Sequence, residues 1–381
     1  MAVYYVPSIN LMGRGCLNDL GDTIKDLGFK KAFIVTDSFL LKSGVVDSVL
    51  KVLQKSDISY HVYSEVVPNP TCKNVHDGLE ILNETESDFL LSIGGGSPQD
   101  TAKAIGILKT NGGLIKNYEG INISKNKAMP IVAVNTTAGT SSEVTINYVV
   151  TDEERHVKMV MIDKHSLATV TVNDPELMVN KPASLTAATG MDALTHAIET
   201  IVTPGAYAVT DATALAAVKI IFNSLPKAVE DGHNIDAREQ MVYAVFLGGV
   251  AFSNAGLGNV HAMAHQLGGI YNLPHGVCNA MLLPFVEEEN AKYVPEKFVP
   301  IANILGFDIK GKTDKECADF VVNAMKDLAK KVGIPETLGE LGVNEVDFEL
   351  LAGNAIRDVC AGGNPVVFTK EQIIQLYKKI V

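Results

Sequence analysis

Residues 88–109 read DFLLSIGGGSPQDTAKAIGILK, and this stretch decides the fold. DFLLSI is a short apolar run of the kind that forms a buried strand. Gly94, Gly95 and Gly96 follow at once. Glycines at a strand end let the backbone turn sharply and let a ligand approach it closely. Ser97 suits a helix N-cap, Pro98 the first helical position and Asp100 the third. A helix start offers free N–H groups and the positive end of its dipole, which suits a pyrophosphate. Three consecutive glycines are more than a turn needs. That favours phosphate binding over a plain strand-to-helix connection.

The flanking segments repeat the pattern. KKAFIVTD, SYHVYSEV and MPIVAVNTTAGT read as strands, and GVVDSVLKVLQKS and VHDGLEILNET as helices. Alternation of this kind predicts an α/β domain on a mostly parallel sheet. The glycines do not follow the G-x-G-x-x-G order, whose acidic ribose ligand comes about twenty residues later. Here the best acidic candidate is Asp37, which ends an earlier strand run. A carboxylate there accepts from a ribose 2′-OH and repels a 2′-phosphate, so NAD is expected over NADP. The plain alternative is a strand-end Asp in a turn. A second hydroxyl-rich loop, NTTAGTSSE at residues 135–143, offers Thr137, Thr140 and Ser142 to phosphate or adenine.

Past about residue 180 the pattern turns helical. SLTAATGMDALTHAIETIV, TDATALAAVKIIFNSLPKAVE and DKECADFVVNAMKDLAKKVG carry helical spacing, with no strand run of comparable strength. The expected domains are 1–182, α/β, and 183–381, all helical. Two domains without a flexible linker predict a ligand-binding cleft.

Composition narrows the function. The 381 residues are 47% hydrophobic and 20% charged, with a formal net charge of −12. That balance argues against nucleic acid or an anionic membrane as partner. Five scattered cysteines without a CxxC pair fit reduced thiols in the cytoplasm. MAVYYVPSIN shows no signal-peptide pattern. Residues 240–286 contain no Asp, Glu, Lys or Arg. Their apolar part, MVYAVFLGGVAF, gives way to Ser253, Asn254 and GLGN before a full membrane span is reached. A buried core helix is the expected reading.

That charge-free run holds His261, His265 and His275, and buried imidazoles need partners. TGMDALTHAIET places Asp192 and His196 four apart, on one helix face. A carboxylate with imidazoles suits a divalent transition metal; a hydrogen-bonded core pair is the plain alternative. There are five candidate ligands, and the pattern does not tell which histidine is spare. A spare imidazole would stand near the substrate as a proton shuttle. His61, His76, His156, His165 and His233 sit singly in polar or mixed surroundings and read as surface or structural. A phosphate loop together with a buried metal suggests a Lewis-acid-polarised oxygen and a nicotinamide hydride.

GGGSPQDTAKAIGI, NTTAGTSSEVT, LTAATGMDALTHAIE and NVHAMAHQLGGIYNLPHGVCNAMLLP together resemble the iron-containing (group III) alcohol dehydrogenase family over essentially the whole chain. The resemblance implies a dehydroquinate synthase-like architecture: an N-terminal α/β dinucleotide-binding domain, an all-α C-terminal domain, and a metal in the cleft. It implies Asp192, His196, His261 and His275 as ligands of Fe(II), with Zn or another divalent metal as alternative. His265 is then the catalytic imidazole near nicotinamide and substrate. It places Asp37 on the adenosine ribose of NAD, with Asn69, Gly95, Gly96, Ser97, Thr137, Thr140 and Lys158 around the nucleotide. Asp100, at the helix start, is counted with this cofactor site. EVTINYVVTDEE, TPGAYAVTDA, AFSNAGLGNVHAMAH and DVCAGGNP are similar to the branch that interconverts lactaldehyde and 1,2-propanediol. Asn147, Phe252, Leu257 and Cys360 would then line the substrate pocket. NPVVFT lacks the arginine often found after NP in that branch. The alternative is therefore a broad short-chain alcohol dehydrogenase of the methanol, butanol or 1,3-propanediol type. Either way the expected substrate is a small uncharged aldehyde or alcohol, and the expected assembly a homodimer or larger homo-oligomer. A lyase or synthase on this architecture would need basic residues for a phosphate-bearing substrate. A non-catalytic sensor would need no spare histidine.

Overall fold

The structure, a computed structural model, describes residues 2–155 and 157–381, so His156 lies outside the described residues. The chain separates into two compact units, Met1–Asn180 and Lys181–Val381.

The first unit is built on nine strands: β1 (Ile9–Met12), β2 (Lys31–Val35), β3 (Ser59–Tyr63), β4 (Phe89–Gly94), β5 (Gly120–Ile121), β6 (Ile131–Asn135), β7 (Asn147–Asp152), β8 (Val157–Ile162) and β9 (Val170–Asn173). Six form a sheet in the order β1-β9-β6-β4-β2-β3, and every pairing in it is parallel. The core follows the period of two that strands impose. Phe33, Val35, Leu90 and Ile131 enter one apolar cluster, while Ala32, Ile34, Phe89, Leu91 and Val132 enter another. Helices α1 (Leu20–Asp26), α2 (Ser38–Lys42), α3 (Val45–Lys55), α4 (Cys72–Glu84) and α5 (Gly96–Asn111) complete the alternation. From β2 the chain passes to β3 on one side and then to β4 on the other. The order therefore reverses between β2 and β4, and open α/β sheets bind ligands outside the strand C-termini at such a point. Asp37 follows β2 there, and Gly94 ends β4, with Gly95 and Gly96 leading into α5. A second sheet, β5-β8-β7, contains the antiparallel pair β7–β8.

The second unit is helical, and no strand is found among its described residues. Its α-helices are α6 (Ala183–Val202), α7 (Ala208–Glu230), α8 (Ile235–Ala255), α9 (Asn259–Tyr271), α10 (His275–Asn290), α11 (Val299–Ile304), α12 (Asp314–Lys331), α13 (Phe348–Ala355) and α14 (Lys370–Tyr377). Helix α6 is buried almost all round and packs against α7, α8 and α10. The charge-free run forms most of α8, all of α9 and most of α10. It is largely buried, but surfaces where α9 ends and the chain turns into α10. Between α8 and α9 the chain bends by 102°, at Gly256, whose φ is +101°. By length and composition alone, α7 could cross a bilayer; core helices pass the same test.

Candidate active site

In the first unit, the glycine turn departs from expectation in one detail. Helix α5 begins at Gly96 and its N-cap is Gly95, not Ser97. No side chain caps it, because the loop after β6 occupies that position. A Cβ on Gly95 would lie 2.9 Å from Thr137 Oγ1, and one on Gly96 3.2 Å from Thr140 Cγ2. Glycine at both positions lets the two loops approach this closely. Ser97 sits half-buried in the first turn. Asp100 is engaged within the unit: Ser142 Oγ donates to it at 2.6 Å and Val149 N–H at 3.0 Å. Desolvation pushes its pKa up to about 6, with the Lys103 ammonium pulling it back. It braces α5 against β7 and the adjoining loop.

Asp37 caps α2, accepting the Leu40 N–H at 2.8 Å. Asn69, in the left-handed region at φ 56°, accepts from Lys158 Nζ at 2.9 Å. Two residues expected near the nucleotide, 89 positions apart, thus meet. Asn147 opens β7, and its side-chain oxygen is buried without a hydrogen-bond partner. Its carbonyl accepts from Lys103 Nζ at 2.7 Å. Lys103, fully buried, also donates to the Thr145 carbonyl at 2.8 Å. Burial lowers its pKa to about 8.

In the second unit, Asp192, His261 and His275 each bring one ligand atom to within 4.8 Å of the others. Asp192 comes from the middle of α6, His261 from the first turn of α9, and His275 opens α10. The approach of α10 to α6 depends on Gly276, where a Cβ would meet the Ala188 carbonyl oxygen at 2.5 Å. His261 is buried, and burial pushes its pKa down to about 3. Its Nδ1 bonds the carboxylate of Glu199, which also accepts the Val260 N–H at 2.8 Å. A neutral imidazole donating from Nδ1 turns its Nε2 lone pair to the other side.

That lone pair faces a crowded spot. Asn279 Nδ2 lies 2.7 Å from Asp192 Oδ1, and 3.1 Å from both His261 Nε2 and His275 Nε2. One amide nitrogen carries two protons, and three acceptor atoms surround it. With both Nε2 atoms unprotonated the set has more lone pairs than protons, and a cation satisfies all of it. The residues therefore fit a divalent metal with nitrogen and oxygen ligands.

His196 is not in this group of three. Its ring stacks with Phe252 at 4.2 Å and with His261 at 4.8 Å between centroids. His265 stacks with His275 at 5.4 Å. Its Nδ1 bonds Asp358 at 2.9 Å, and the Cys360 N–H bonds the same carboxylate at 2.9 Å. Leu257 is buried in the turn between α8 and α9. Among the single histidines, His61 stacks with Phe33 at 5.8 Å and His165 bonds Ser124. Both are structural contacts.

Sequence reasoning missed four contributors: Glu199, Asn279, Asp358 and Lys103. Glu199 carried a signal, since 192, 196 and 199 share one face of a helix. Asn279 stands one turn beyond His275, which is a similar clue.

A parallel sheet with a glycine turn at its reversal point, and a buried histidine–carboxylate cluster that fits a metal, suit a metal-dependent dehydrogenase. Comparison with known proteins agrees. Residues 7–175 match the family model described as iron-containing alcohol dehydrogenase, and residues 186–381 that of the Fe-containing alcohol dehydrogenase family, C-terminal. The NAD-dependent methanol dehydrogenase of Bacillus methanolicus is 46% identical over 378 residues, covering 99% of each chain. The lactaldehyde reductase of Escherichia coli K12 is 45% identical over 367 residues, 96% of each. A crystal structure of a 1,3-propanediol oxidoreductase aligns over 100% of both chains, with a TM-score of 0.97 and 45% identity. The chain belongs to the iron-containing alcohol dehydrogenase family, and is an oxidoreductase of alcohols and aldehydes.

Proposed function

We propose that the protein interconverts lactaldehyde and 1,2-propanediol with NAD(H), at iron held by Asp192, His261 and His275 with His196 as fourth ligand. The observation that carries this reading is the proton-poor cluster around Asn279, with His261 fixed by Glu199. Bound there, a metal ion polarises the substrate oxygen, and NAD supplies or takes the hydride. The chain's own residues do the rest. The open N-terminus of α5 receives the pyrophosphate. Asp37, with one carboxylate oxygen on α2, keeps the other for the ribose hydroxyls. Asn69 and Lys158 meet as a pair at the nucleotide. His265 takes the proton released from the alcohol and returns it in the reverse direction. Phe252, Leu257 and Cys360 give the substrate an apolar wall. Asn147, at the start of β7, is the polar residue assigned to the second hydroxyl of a hydroxyaldehyde.

Relatives of nearly equal identity are named for methanol and lactaldehyde, so a broad short-chain alcohol dehydrogenase is the second reading. The deciding experiment is aldehyde-dependent NADH oxidation by anaerobically prepared, iron-loaded protein. Lactaldehyde is compared with butanal and 3-hydroxypropanal. A higher kcat/KM for lactaldehyde supports the first reading; equal or better use of the others leaves the family chemistry and removes the substrate assignment. We further propose that the protein works in the cytoplasm as a homodimer or larger homo-oligomer.

A further inference from the structure

Asp358 lies 93 residues from His265 in the chain, just after α13, yet the two side chains meet at 2.9 Å. Both are nearly excluded from solvent, at 8% and 7% side-chain exposure. Three N–H groups converge on this one carboxylate. His265 Nδ1 approaches Oδ2 at 2.9 Å, Gln266 Nε2 approaches the same oxygen at 3.3 Å, and the Cys360 N–H reaches Oδ1 at 2.9 Å. A carboxylate has only acceptors to offer, so the imidazole beside it must hold its proton on Nδ1. The Cys360 thiol completes a group whose donor atoms lie within 4.8 Å, but the imidazole and carboxylate in it already hydrogen-bond each other. The geometry is that of an oriented imidazole.

We propose that Asp358 is a positioning residue: it locks His265 in the Nδ1-protonated tautomer and leaves Nε2 as the atom that accepts the substrate proton. The inference rests on the role given to His265 above. A histidine with its proton on Nε2 has no lone pair there and cannot begin alcohol oxidation. Gln266 and Cys360 hold the carboxylate, the carboxylate holds the imidazole ring, and the ring stacks on His275. Orientation and tautomer are thus both set from behind.

Asp358→Asn separates this role from mere support. Its single side-chain oxygen can still take the Cys360 N–H, which preserves the turn. Its NH2 then faces His265 Nδ1 and reverses the tautomer. The full-length variant should fold and bind metal like the parent. Its kcat for alcohol oxidation should fall roughly 100-fold, the range of a lost general base, with KM for the alcohol unchanged. Long-range nitrogen NMR on histidine-labelled, zinc-loaded protein should show the His265 proton moved from Nδ1 to Nε2. Asp358→Glu, which keeps the carboxylate, should recover part of the turnover. Combined with His265→Ala, Asp358→Asn should add nothing, because the two act through one group.

An unchanged tautomer in Asp358→Asn overturns the proposal. So does an equal loss of turnover whether or not His265 is present, which marks a structural role. Full turnover in His265→Ala alone instead removes the proton-transfer role of His265, and the NMR measurement then judges the tautomer lock by itself.

Discussion

Glu199 shows how much of a site depends on a residue that makes no contact with the reacting groups. It is a fully buried carboxylate, held by the Val260 N–H and by His261, and burial lifts its pKa to about 7. Replacing it with Gln leaves one oxygen for two N–H donors. His261 then loses the partner that aims its Nε2 lone pair. The expected result for Glu199→Gln is a metal affinity about 10–100-fold weaker, read by competition with a chromophoric chelator; unchanged affinity would refute the orienting role. At this scale the sequence was generous with chemistry and silent on partnership. Asp192, His261 and His275 stood out because ionisable groups in apolar helices need a reason. Glu199 is not singled out by the sequence reading, although its spacing from Asp192 marks it. Asp358 was hidden in a motif from which only Cys360 had been singled out, because a contact across 93 residues leaves no local periodicity.

Helices and turns carry the site through a few close approaches. Gly276 lets α10 lie against α6 with no room for a side chain. The nearest atoms to a new Cβ are backbone, at 2.5 and 2.9 Å, and backbone cannot swing aside. Gly276→Ala should therefore lift His275 and Asn279 away from Asp192, cost about 1–3 kcal/mol of stability, read as a lower thermal midpoint, and reduce bound metal per chain. Gly269→Ala is the control. It lies on an exposed part of α9 with nothing within 4 Å of a new Cβ, and should keep full metal content. Wild-type metal content in Gly276→Ala would show that the helix contact is looser than its geometry. The helices were legible because their apolar spacing is local. The start of α5 was misplaced by two residues because Ser97 is a better cap by local chemistry, whereas Gly95 is required by the neighbouring threonine loop.

The molecule as a whole carries buried carboxyl groups whose desolvation outweighs the favourable interactions around them. Burial raises Glu143 to about 7 in the first unit. Burial, then the nearby Glu199, raises Glu287 to about 8 in the second. A carboxyl with a raised folded pKa binds its proton more tightly folded than unfolded. Its stabilising contribution is complete below the unfolded value near 4.5 and is lost as pH rises through the folded value. These two groups therefore make stability fall between about pH 5 and pH 8. Glu287→Gln, which cannot ionise, should show a shallower fall of thermal midpoint across that range; a slope identical to the parent would contradict the assignment. The division into an α/β part and a helical part was readable because alternation and its end are visible along the chain. The sheet's edge partners β1 and β9, four residues each, and the small β5-β8-β7 sheet were not, because pairing is decided across distance. Asp37 joins two duties in one side chain, since the carboxylate that would discriminate against a phosphorylated ribose also caps α2. An engineer who neutralises it to switch cofactor would uncap that helix, at about 1 kcal/mol, unless Ser or Asn takes its place.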